Sequence, residues 1–381
     1  PCQSIRKMLG LEIAKHILRE TDESLVERFR TDMALQVFCG FSSLCTDIPH
    51  PSTLTYFRKR LKEKTLRMLE EVNLRKFQKK LPRRKRHQVI ADSTCMEANV
   101  PRPMDSKLLS KAHAFLVNEL EKARKNGAKI VIRGKRTVRC VLIRFRKFSK
   151  KTEEDVRKLN TFLIAEGRKL LKQLEEQIKR GMHRLNRHGR VCLAAARIAL
   201  AQQAKMLRTG SRKIKDRILS LHEPMVRAIP RGKEGKKCEF GKKVTFSCIG
   251  GVLLQTARVD HRPFSDREMV EDSVAAHERT FGRKPSELSA DRGAHSPENH
   301  IRLARDNIGD GIQWKGKIPD NTDLPPPAFR KRTSRQRSGI EARIGIWKNR
   351  FGGHRNTYRE RTAHVKITFS LLGMNALAVA A

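Results

Sequence analysis

Two short apolar segments with the character of β-strands, each followed directly by an aspartate, lie far apart in the sequence. The first, Gln88–Ala91, ends at Asp92, and the second, Glu287–Ala290, ends at Asp291. The end of a short apolar strand is where a side chain leaves the sheet and meets solvent or a ligand. If the two strands are neighbours in one sheet, the pattern predicts that both carboxylates lie within a few ångströms of each other.

A long helical block separates these two strand patterns. Residues 106 to 226 carry mostly helical periodicity, and strand alternation resumes near residue 238 with a hairpin turn at Gly250–Gly251. A helix follows at Asp266–Phe281, with Ser265 or Asp266 as its cap. Because a block of that length is an insertion rather than a tight connection between strands, the sequence predicts an α/β fold interrupted by helices.

Residues 1 to 80 carry helical periodicity and predict a small all-α domain. One helix should end at Gly40, and its apolar stripe consists of Leu25, Phe29, Met33, Val37 and Phe38. A second helix, capped by Ser52, carries Arg58 and Lys59 beside its own apolar stripe. The connection is longer than that of a helix-turn-helix. A helix that reads DNA and a helical domain with a solvated basic face therefore both stay open.

The charge of the chain points to its partner. Lys and Arg number 83 against 40 Asp and Glu, a formal net charge of +43. This argues against an acidic solvating protein or an ordinary neutral metabolic enzyme, and it indicates DNA, RNA or an anionic membrane surface. The longest apolar stretch, 367–381, is too short for a spanning helix, which favours nucleic acid. With neither a signal peptide nor an initiator Met, the first residue is not expected to be the natural start.

A basic segment and the cysteines complete this picture. Residues 75–87 read as a linker that could lie on phosphates, or as a solvated hinge, and its second half holds Arg83, Arg84, Lys85 and Arg86. The eight cysteines form no Cys-x-x-Cys pair and have no zinc-finger spacing with histidine. They predict free thiols in a reducing cytoplasm rather than a structural zinc site.

A third acidic residue lies on a helix that is expected to start near Ser334. Arg337 and Lys348 fall on the same face as Glu341, within roughly 60° at 3.6 residues per turn. Clustered carboxylates repel each other unless cations bind, and Mg²⁺ prefers such oxygen ligands. Two metal ions in such a site support phosphoryl transfer on a nucleic-acid backbone. The alternatives are strand-end turns or caps for the aspartates, and ion pairs on a solvated helix face for Glu341.

Four blocks of this sequence resemble bacterial insertion-sequence transposases, in the order that those proteins have. They are DSTCMEANVPRPMDSKLL at Asp92, KKCEFGKKVTF, ADRGAHSPEN at Asp291 and RSGIEARIGIWKNRFGG. The family signature Tyr-x2-Arg-x3-Glu-x6-Lys is matched by Arg337, Glu341 and Lys348, but Ser334 stands at the tyrosine position. The aromatic residue common shortly after the second Asp is also replaced, by Ala294 and His295. The likeness covers about three quarters of the chain.

The resemblance implies an RNase H-like mixed sheet flanked by helices and a DDE triad. Asp92, Asp291 and Glu341 would bind two Mg²⁺ ions, for which Mn²⁺ could substitute. Water would then nick the transposon end, and the freed 3′-hydroxyl would attack target DNA. Arg337 and Lys348 would hold the backbone of that end. The partners implied are terminal inverted repeats, target double-stranded DNA and a second copy of the chain, in the bacterial cytoplasm near the nucleoid.

The resemblance also implies a domain plan. We expect a helical DNA-binding domain at 1–80, a basic linker and first core strand at 81–105, a helical insertion at 106–226 and the rest of the core at 227–381. Near the aspartates, His295 is a weaker candidate for the site. The block around Asp92 also contains Glu97, Asn99 and Asp105, which we expect to support a loop rather than the chemistry.

Two rival functions stay open at this stage. A stand-alone RNase H-like nuclease would cut without strand transfer, and the residues cannot separate it from a transposase because hydrolysis and transesterification use the same metals. A catalytically dead basic DNA-binding protein would keep its properties after Asp92→Ala. Joining of a 3′-hydroxyl end to a target plasmid separates the first rival, and loss of Mg²⁺-dependent cleavage in Asp92→Ala separates the second.

Overall fold

The chain forms two compact units. The computed structural model describes residues 3–41, 47–233, 236–316, 318, 325–358 and 362–380, without the side chains of 231–233 and 236–237. One unit combines Pro1–Asn99 with Ala228–Ala381, and the other is Val100–Arg227. The first unit therefore contains both the N-terminal helices and the sheet, and the second corresponds to the predicted helical insertion.

A mixed β-sheet organises the first unit. Its strands in the described residues are β1 (Gln88–Ala98), β2 (Arg227–Lys233), β3 (Lys236–Ile249), β4 (Leu253–Asp260), β5 (Glu287–Ala290), β6 (Gly309–Ile312) and β7 (Arg355–Asn356). They are ordered β2-β3-β1-β5-β6, with β4 also paired to β3 and β7 to β1. β3 is antiparallel to both β1 and β4, whereas β1, β5 and β6 run parallel. The predicted α/β class is confirmed as a mixed sheet with helices.

Five helices precede the sheet in the described residues. They are α1 (Ile5–Leu18), α2 (Asp22–Thr31), α3 (Met33–Phe38), α4 (Pro51–Arg60) and α5 (Glu63–Gln78). The single helix predicted up to Gly40 is wrong, because the Asp32 carboxylate accepts a hydrogen bond from the Leu35 N–H at 3.0 Å and starts a new helix. Of the predicted stripe, Leu25 and Phe29 are buried, but Met33, Val37 and Phe38 are exposed.

Four helices make up the second unit. They are α6 (Asp105–Lys125), α7 (Lys135–Lys147), α8 (Glu153–Lys179) and α9 (Arg187–Thr209). Leucines spaced along one face of α6 and α8 meet in a common core, which includes Leu116, Leu120, Leu163 and Leu174. The block predicted as helical at 106–226 therefore holds four helices, and residues 210–226 form neither helix nor strand.

The remaining helices cover the two faces of the sheet. They are α10 (Met269–Phe281), α11 (Pro297–Arg305), α12 (Pro327–Gln336), α13 (Ser338–Arg350) and α14 (Ala363–Ala380). On one face, Ile90 and Phe246 pack with α13 and α14 through Trp347 and Leu371. On the opposite face, Val89 packs with α10 and α11. Alternate side chains along β1 thus pack into two separate hydrophobic cores, one on each face of the sheet.

The apolar C-terminal segment is a core helix. α14 is, in the described part of the chain, the one helix long and apolar enough to cross a membrane, and 67% of it is buried in the protein. Its Phe369 packs against Leu66 of α5, with Ile13 of α1 alongside. The helix reaches spanning length because it begins before the predicted stretch, at Ala363, but most of it is buried in the protein.

Three local predictions need correction. The strand that was expected to stop at Asp92 continues to Ala98, because residues beyond the aspartate keep pairing with β3 down to Glu97. The segment 75–87 is no extended linker, since α5 runs to Gln78 and a 3₁₀ turn occupies Arg83–Lys85. The helix expected near Ser334 begins at Ser338, after the separate helix α12, and Arg337 lies at the junction.

Candidate functional site: a carboxylate cluster at the sheet edge

Strand register brings Asp92 and Asp291 to the same level of the sheet. β1 and β5 pair in parallel with Ile90 opposite Ser289. Continuing that register by two residues sets Asp92 level with Asp291, just beyond the end of β5. Adjacent strands lie about 4.8 Å apart. The two aspartates therefore face the same end of the sheet, where β5 stops and β1 runs on.

Helix α13 brings Glu341 to the same place. Asp92 follows Ile90 by two residues, so its side chain points to the sheet face that α13 covers. Ile340, next to Glu341, is fully buried in that core. Trp347 fixes the helix, because its ring meets Phe246 edge-on at 4.9 Å and its Nε1–H donates to Ser370 Oγ at 2.8 Å.

A fourth carboxylate, from Asp266, joins the cluster. It lies in a 3₁₀ turn that starts at the Ser265 cap. Its Oδ1 accepts hydrogen bonds from Ser93 Oγ at 2.7 Å and from Lys243 Nζ at 2.6 Å. A Cβ on Gly293 would lie 3.0 Å from Asp291 Oδ1 and 3.2 Å from Asp266 Oδ2, so that glycine lets the two carboxylates approach.

The pKa of Asp92 is affected by these neighbouring carboxylates. Its pKa is raised from 3.8 to about 6. Burial is the largest cause, and the negative charges of Asp291, Asp266 and Glu341 raise the pKa further, against a hydrogen bond from the Ser93 N–H. A buried carboxylate surrounded by like charges favours a proton or a bound cation. The arrangement thus provides hard oxygen ligands whose repulsion a divalent cation would relieve.

Sequence reasoning missed Asp266 as a member of the site. The residue appears in the sequence as a helix cap, and the turn does begin there. The signal that could have found it is Lys243, one of the outward residues of the predicted strand before the hairpin. Its Nζ also donates to the Phe264 carbonyl at 2.7 Å and lies 4.5 Å from the Phe264 ring centre, which ties β3 to the Asp266 turn.

The basic residues that were predicted beside Glu341 occupy different settings. Arg337 Nη1 donates to Gln313 Oε1 and lies just before α13, so it is not on the helix of Glu341. Lys348 is half-buried on the last turn of α13. Ser334, at the position where the signature has tyrosine, accepts a hydrogen bond from Gln313 Nε2 at 3.1 Å.

The residues of the N-terminal region that were predicted to contact DNA include one that is buried and one that is exposed. Arg58 is buried, and its guanidinium pairs with Glu12 at 2.6 Å and with Asp22. We therefore remove Arg58 from the predicted DNA surface, because its guanidinium is buried and already paired with two carboxylates of the N-terminal helices. Lys59 is exposed, with its ammonium 4.7 Å from the Tyr56 ring.

The basic turn before β1 shows a similar division. Arg83 and Arg84 are exposed, and Lys85 is half-buried. Arg86 is half-buried as well, since its guanidinium donates to the Leu81 carbonyl at 3.0 Å and to the Lys79 carbonyl at 2.6 Å. The two exposed arginines are therefore the members of this turn most open to a phosphate.

Other residues of the predicted blocks have structural partners. His295 hydrogen-bonds His300 through ring nitrogens 2.9 Å apart, and Trp314 stacks on His300 at 4.2 Å. An aromatic side chain thus lies near the second aspartate although the sequence places it on a later segment. Glu97 lies in β1 rather than in a loop, and the Asp105 carboxylate binds Gln203 and Arg217 within the helical unit.

Comparison with known proteins adds to this geometry. Residues 1–60 match the family described as Transposase domain (DUF772). This match supports a transposase family. The chain is also 29% identical over 152 residues to the uncharacterized protein ORF8 in the nfe locus of Rhizobium meliloti, over 39% of this chain and 72% of that protein. No solved structure matches the chain. A transposase family implies a DNA substrate and a DNA-processing enzyme, which agrees with the charge of +43.

Proposed function

We propose that this protein is the transposase of a bacterial insertion sequence, which cleaves transposon ends and joins them to target DNA with a DDE triad. The observation that carries the proposal is the meeting of Asp92, Asp291 and Glu341, which come from three distant parts of the chain. The match over residues 1–60 supports the same reading independently of the site.

The strand arrangement supports an RNase H-like core. Five strands follow the order β4-β3-β1-β5-β6, in which β3 alone is antiparallel to its neighbours. The resemblance implies an RNase H-like mixed sheet whose triad includes Asp92 and Asp291. Here Asp92 lies on β1, which pairs with β3 and β5, and Asp291 directly follows β5, so a nucleic-acid phosphoryl-transfer core fits this topology.

The acidic cluster fits Mg²⁺. Four carboxylates offer hard oxygen atoms, and burial together with the negative charges of Asp291, Asp266 and Glu341 raises the pKa of Asp92. Asp92, Asp291 and Glu341 would hold the metal, and Mn²⁺ should substitute for it. When bound, a pair of such ions activates the attacking hydroxyl group and stabilises the leaving oxygen.

The protein side chains around the cluster would orient it. Lys243 and Ser93 hold Asp266 by two hydrogen bonds, so its second carboxylate oxygen keeps a fixed direction. Trp347 holds α13 and therefore Glu341. Arg337 and Lys348 lie on or next to the same helix, and we assign them to the backbone of the transposon end.

The exposed arginines Arg83 and Arg84, together with Lys59, extend the DNA-binding surface of the first unit in this proposal. Their contacts would be with phosphates and would carry affinity rather than sequence. Terminal inverted repeats and target DNA are the proposed partners, bound by a dimer in the cytoplasm.

Purified protein with a labelled duplex bearing a transposon end, Mg²⁺ and a target plasmid tests the proposal. We expect cleaved ends joined to the plasmid with the native chain, and loss of both products by at least about 10³-fold for Asp92→Asn, because the substitution removes a ligand charge but not shape. DNA binding by that variant should persist.

The outcomes separate the rival functions. Cleavage without joined products would support a nuclease. Equal activity of Asp92→Asn and the native chain would remove the carboxylate cluster from the chemistry, and DNA binding with no cleavage in either protein would leave a non-enzymatic DNA-binding protein. Because each end must first be known, duplexes taken from both flanks of the reading frame are the substrates.

A further inference from the structure

A second cluster of ligating side chains lies in the helical unit and shares no residue with the carboxylate cluster. Within the described residues, His188 Nε2 lies 3.2 Å from His222 Nδ1, and Cys192 Sγ lies 3.5 Å and 3.6 Å from these two nitrogens. Each residue offers one ligand atom, and the three atoms form a closed triangle. No carboxylate of the proposed DNA-cleaving site belongs to it.

The size of this triangle is that of one face of a zinc tetrahedron. With Zn–N bonds of about 2.05 Å, Zn–S bonds of about 2.3 Å and tetrahedral angles, two nitrogen ligands lie about 3.3 Å apart and a nitrogen and a sulfur about 3.6 Å apart. The observed separations are 3.2, 3.5 and 3.6 Å. The spacing of the three atoms therefore matches that of three ligands around one zinc ion.

The backbone holds the ligands in place without a metal. His188 and Cys192 are four residues apart on α9, so they lie on one face of that helix. The helix starts at a firm cap, because Asn186 Oδ1 accepts from the Gly189 N–H at 2.8 Å. Leu221, next to His222, is buried against α9 alanines and brings the third ligand to that face.

We propose that His188, Cys192 and His222 form a zinc site that fastens the segment 210–226 to the start of α9. A thiolate and two imidazoles are ligands that suit Zn²⁺ and exclude Mg²⁺, which requires oxygen. A water molecule would complete the coordination of the ion, since His188 and His222 are exposed to solvent while Cys192 is buried. The ion stabilises the helical unit, and it is separate from the Mg²⁺ of the proposed reaction.

Cobalt serves as the spectroscopic probe for this site. The full chain, reduced and stripped with a chelator, is titrated with Co²⁺. We expect saturation at one equivalent, with a thiolate charge-transfer band in the near ultraviolet and strong visible bands of tetrahedral cobalt. Added Zn²⁺ should abolish both. Oxygen ligands of the carboxylate cluster give no thiolate band, so binding there does not imitate the signal.

Variants identify the ligands. Cys192→Ser should lose the charge-transfer band, whereas Cys140→Ser, which removes an exposed cysteine of α7, should keep it. His188→Gln alters an exposed side chain, and we expect its Zn²⁺ affinity to fall at least tenfold in competition with a chromophoric chelator. Circular dichroism of each variant checks that the helices persist.

Several results would overturn the proposal. One is a native chain without the thiolate band at one equivalent of Co²⁺, which would leave a hydrogen-bonded cluster only. Another is an unchanged band in Cys192→Ser, which would assign the metal to another thiol. A third is unchanged Zn²⁺ affinity in His188→Gln. If Cys192→Ser does not fold, the His188→Gln measurement decides alone.

Discussion

Two clusters of ionisable side chains in the sheet-containing unit differ in the charges that surround their buried groups. Among the N-terminal helices, the guanidinium of Arg58 meets the carboxylates of Glu12 and Asp22, and Tyr358 lies against it. At the end of the sheet where β5 stops, the charged neighbours that act on Asp92 are the carboxylates of Asp291, Asp266 and Glu341. Arg58 and Lys15 offset the acidic charges of the first cluster, whereas the neighbours that act on Asp92 are other carboxylates. Under the proposed function, the first network stabilises the fold and the second would bind Mg²⁺.

The pKa values of Asp22 and Asp92 shift in opposite directions. Burial raises the pKa of Asp22, but hydrogen bonds from Arg58 and Lys15 outweigh it and keep the pKa below its usual value. For Asp92, burial and the neighbouring carboxylates act in the same direction, and the pKa rises to about 6. Ionisation of Asp22 therefore stabilises the folded protein, whereas ionisation of Asp92 destabilises it; at Glu12, burial keeps the pKa raised in spite of Arg58.

The largest expected effect concerns the Arg58 network. Arg58→Met should lower the free energy of unfolding by about 3–5 kcal/mol, because it leaves Glu12 buried without its partner. Lys59→Met, an exposed neighbour on the same helix, is the matched control and should change stability by at most about 0.5 kcal/mol. Chemical denaturation of both variants measures this. Equal stabilities would show that the Arg58 network is not structural and would restore Arg58 as a DNA contact.

A smaller effect is expected at the fourth carboxylate. Asp266→Asn should slow DNA cleavage about 10–100-fold and raise the Mg²⁺ concentration required for half-maximal rate, since it removes negative charge beside Asp92. Glu268→Gln changes the same turn but a side chain that pairs with Arg258 at 2.7 Å, and it should leave both quantities unchanged. A Mg²⁺ titration of the cleavage rate compares them. An unshifted Mg²⁺ requirement in Asp266→Asn would mean that Asp266 only caps its turn.

The cost of ionising Asp92, which comes from burial first and from the neighbouring carboxylates second, should be measurable without any substrate. The folded-state pKa, about 6, lies above the unfolded value of 3.8, so the folded protein binds more protons between these two pH values. Its stability therefore falls as pH rises through that window, and the full penalty is present above about pH 6. In a chelator at pH 7.5, Asp92→Asn should be more stable than the native chain by about 1–2 kcal/mol.

Thermal unfolding at two pH values tests this sign. The advantage of Asp92→Asn should shrink as pH falls towards 4, where the native carboxyl group is protonated as well. Mg²⁺ should raise the melting temperature of the native chain more than that of the variant. A variant that is less stable than the native chain at pH 7.5 would show that Asp92 is a satisfied structural residue, like Asp22.

Much of the sheet could be predicted from local patterns. Strand alternation with Gly250–Gly251 predicted the β3–β4 hairpin, and the two glycines do adopt positive φ angles of 61° and 76°. β5 has the predicted bounds. β6 was not predicted, since Gly-Asp-Gly-Ile has little strand propensity, and its pairing with β5 supplies the structure instead.

The site was harder to predict than the fold, for physical reasons. The partners of Arg58 lie 46 and 36 residues away, so its burial leaves no trace in the local pattern. The sequence around Asp266 has the pattern of a helix cap. That pattern is the same whether or not the capping residue also faces a carboxylate cluster, so the sequence alone could not show that Asp266 belongs to the site. The pairing of Asp92 with Asp291 followed from two strand ends, although β1 in fact continues past its aspartate. The catalytic role of the trio stays a prediction.

The smallest expected effect contrasts exposed cations with paired ones. Replacing Arg83 and Arg84 by alanine should reduce the slope of log affinity for DNA against log salt by about 2, because each exposed arginine releases roughly one counterion on binding a phosphate. Lys158 and Lys169, which pair with Glu154 and Glu166, are the control for charge alone. Their double alanine variant should keep the native slope, although it removes the same net charge. If both double variants reduce the slope equally, DNA binding depends on the overall positive charge of the chain. Arg83 and Arg84 would then not be specific phosphate contacts.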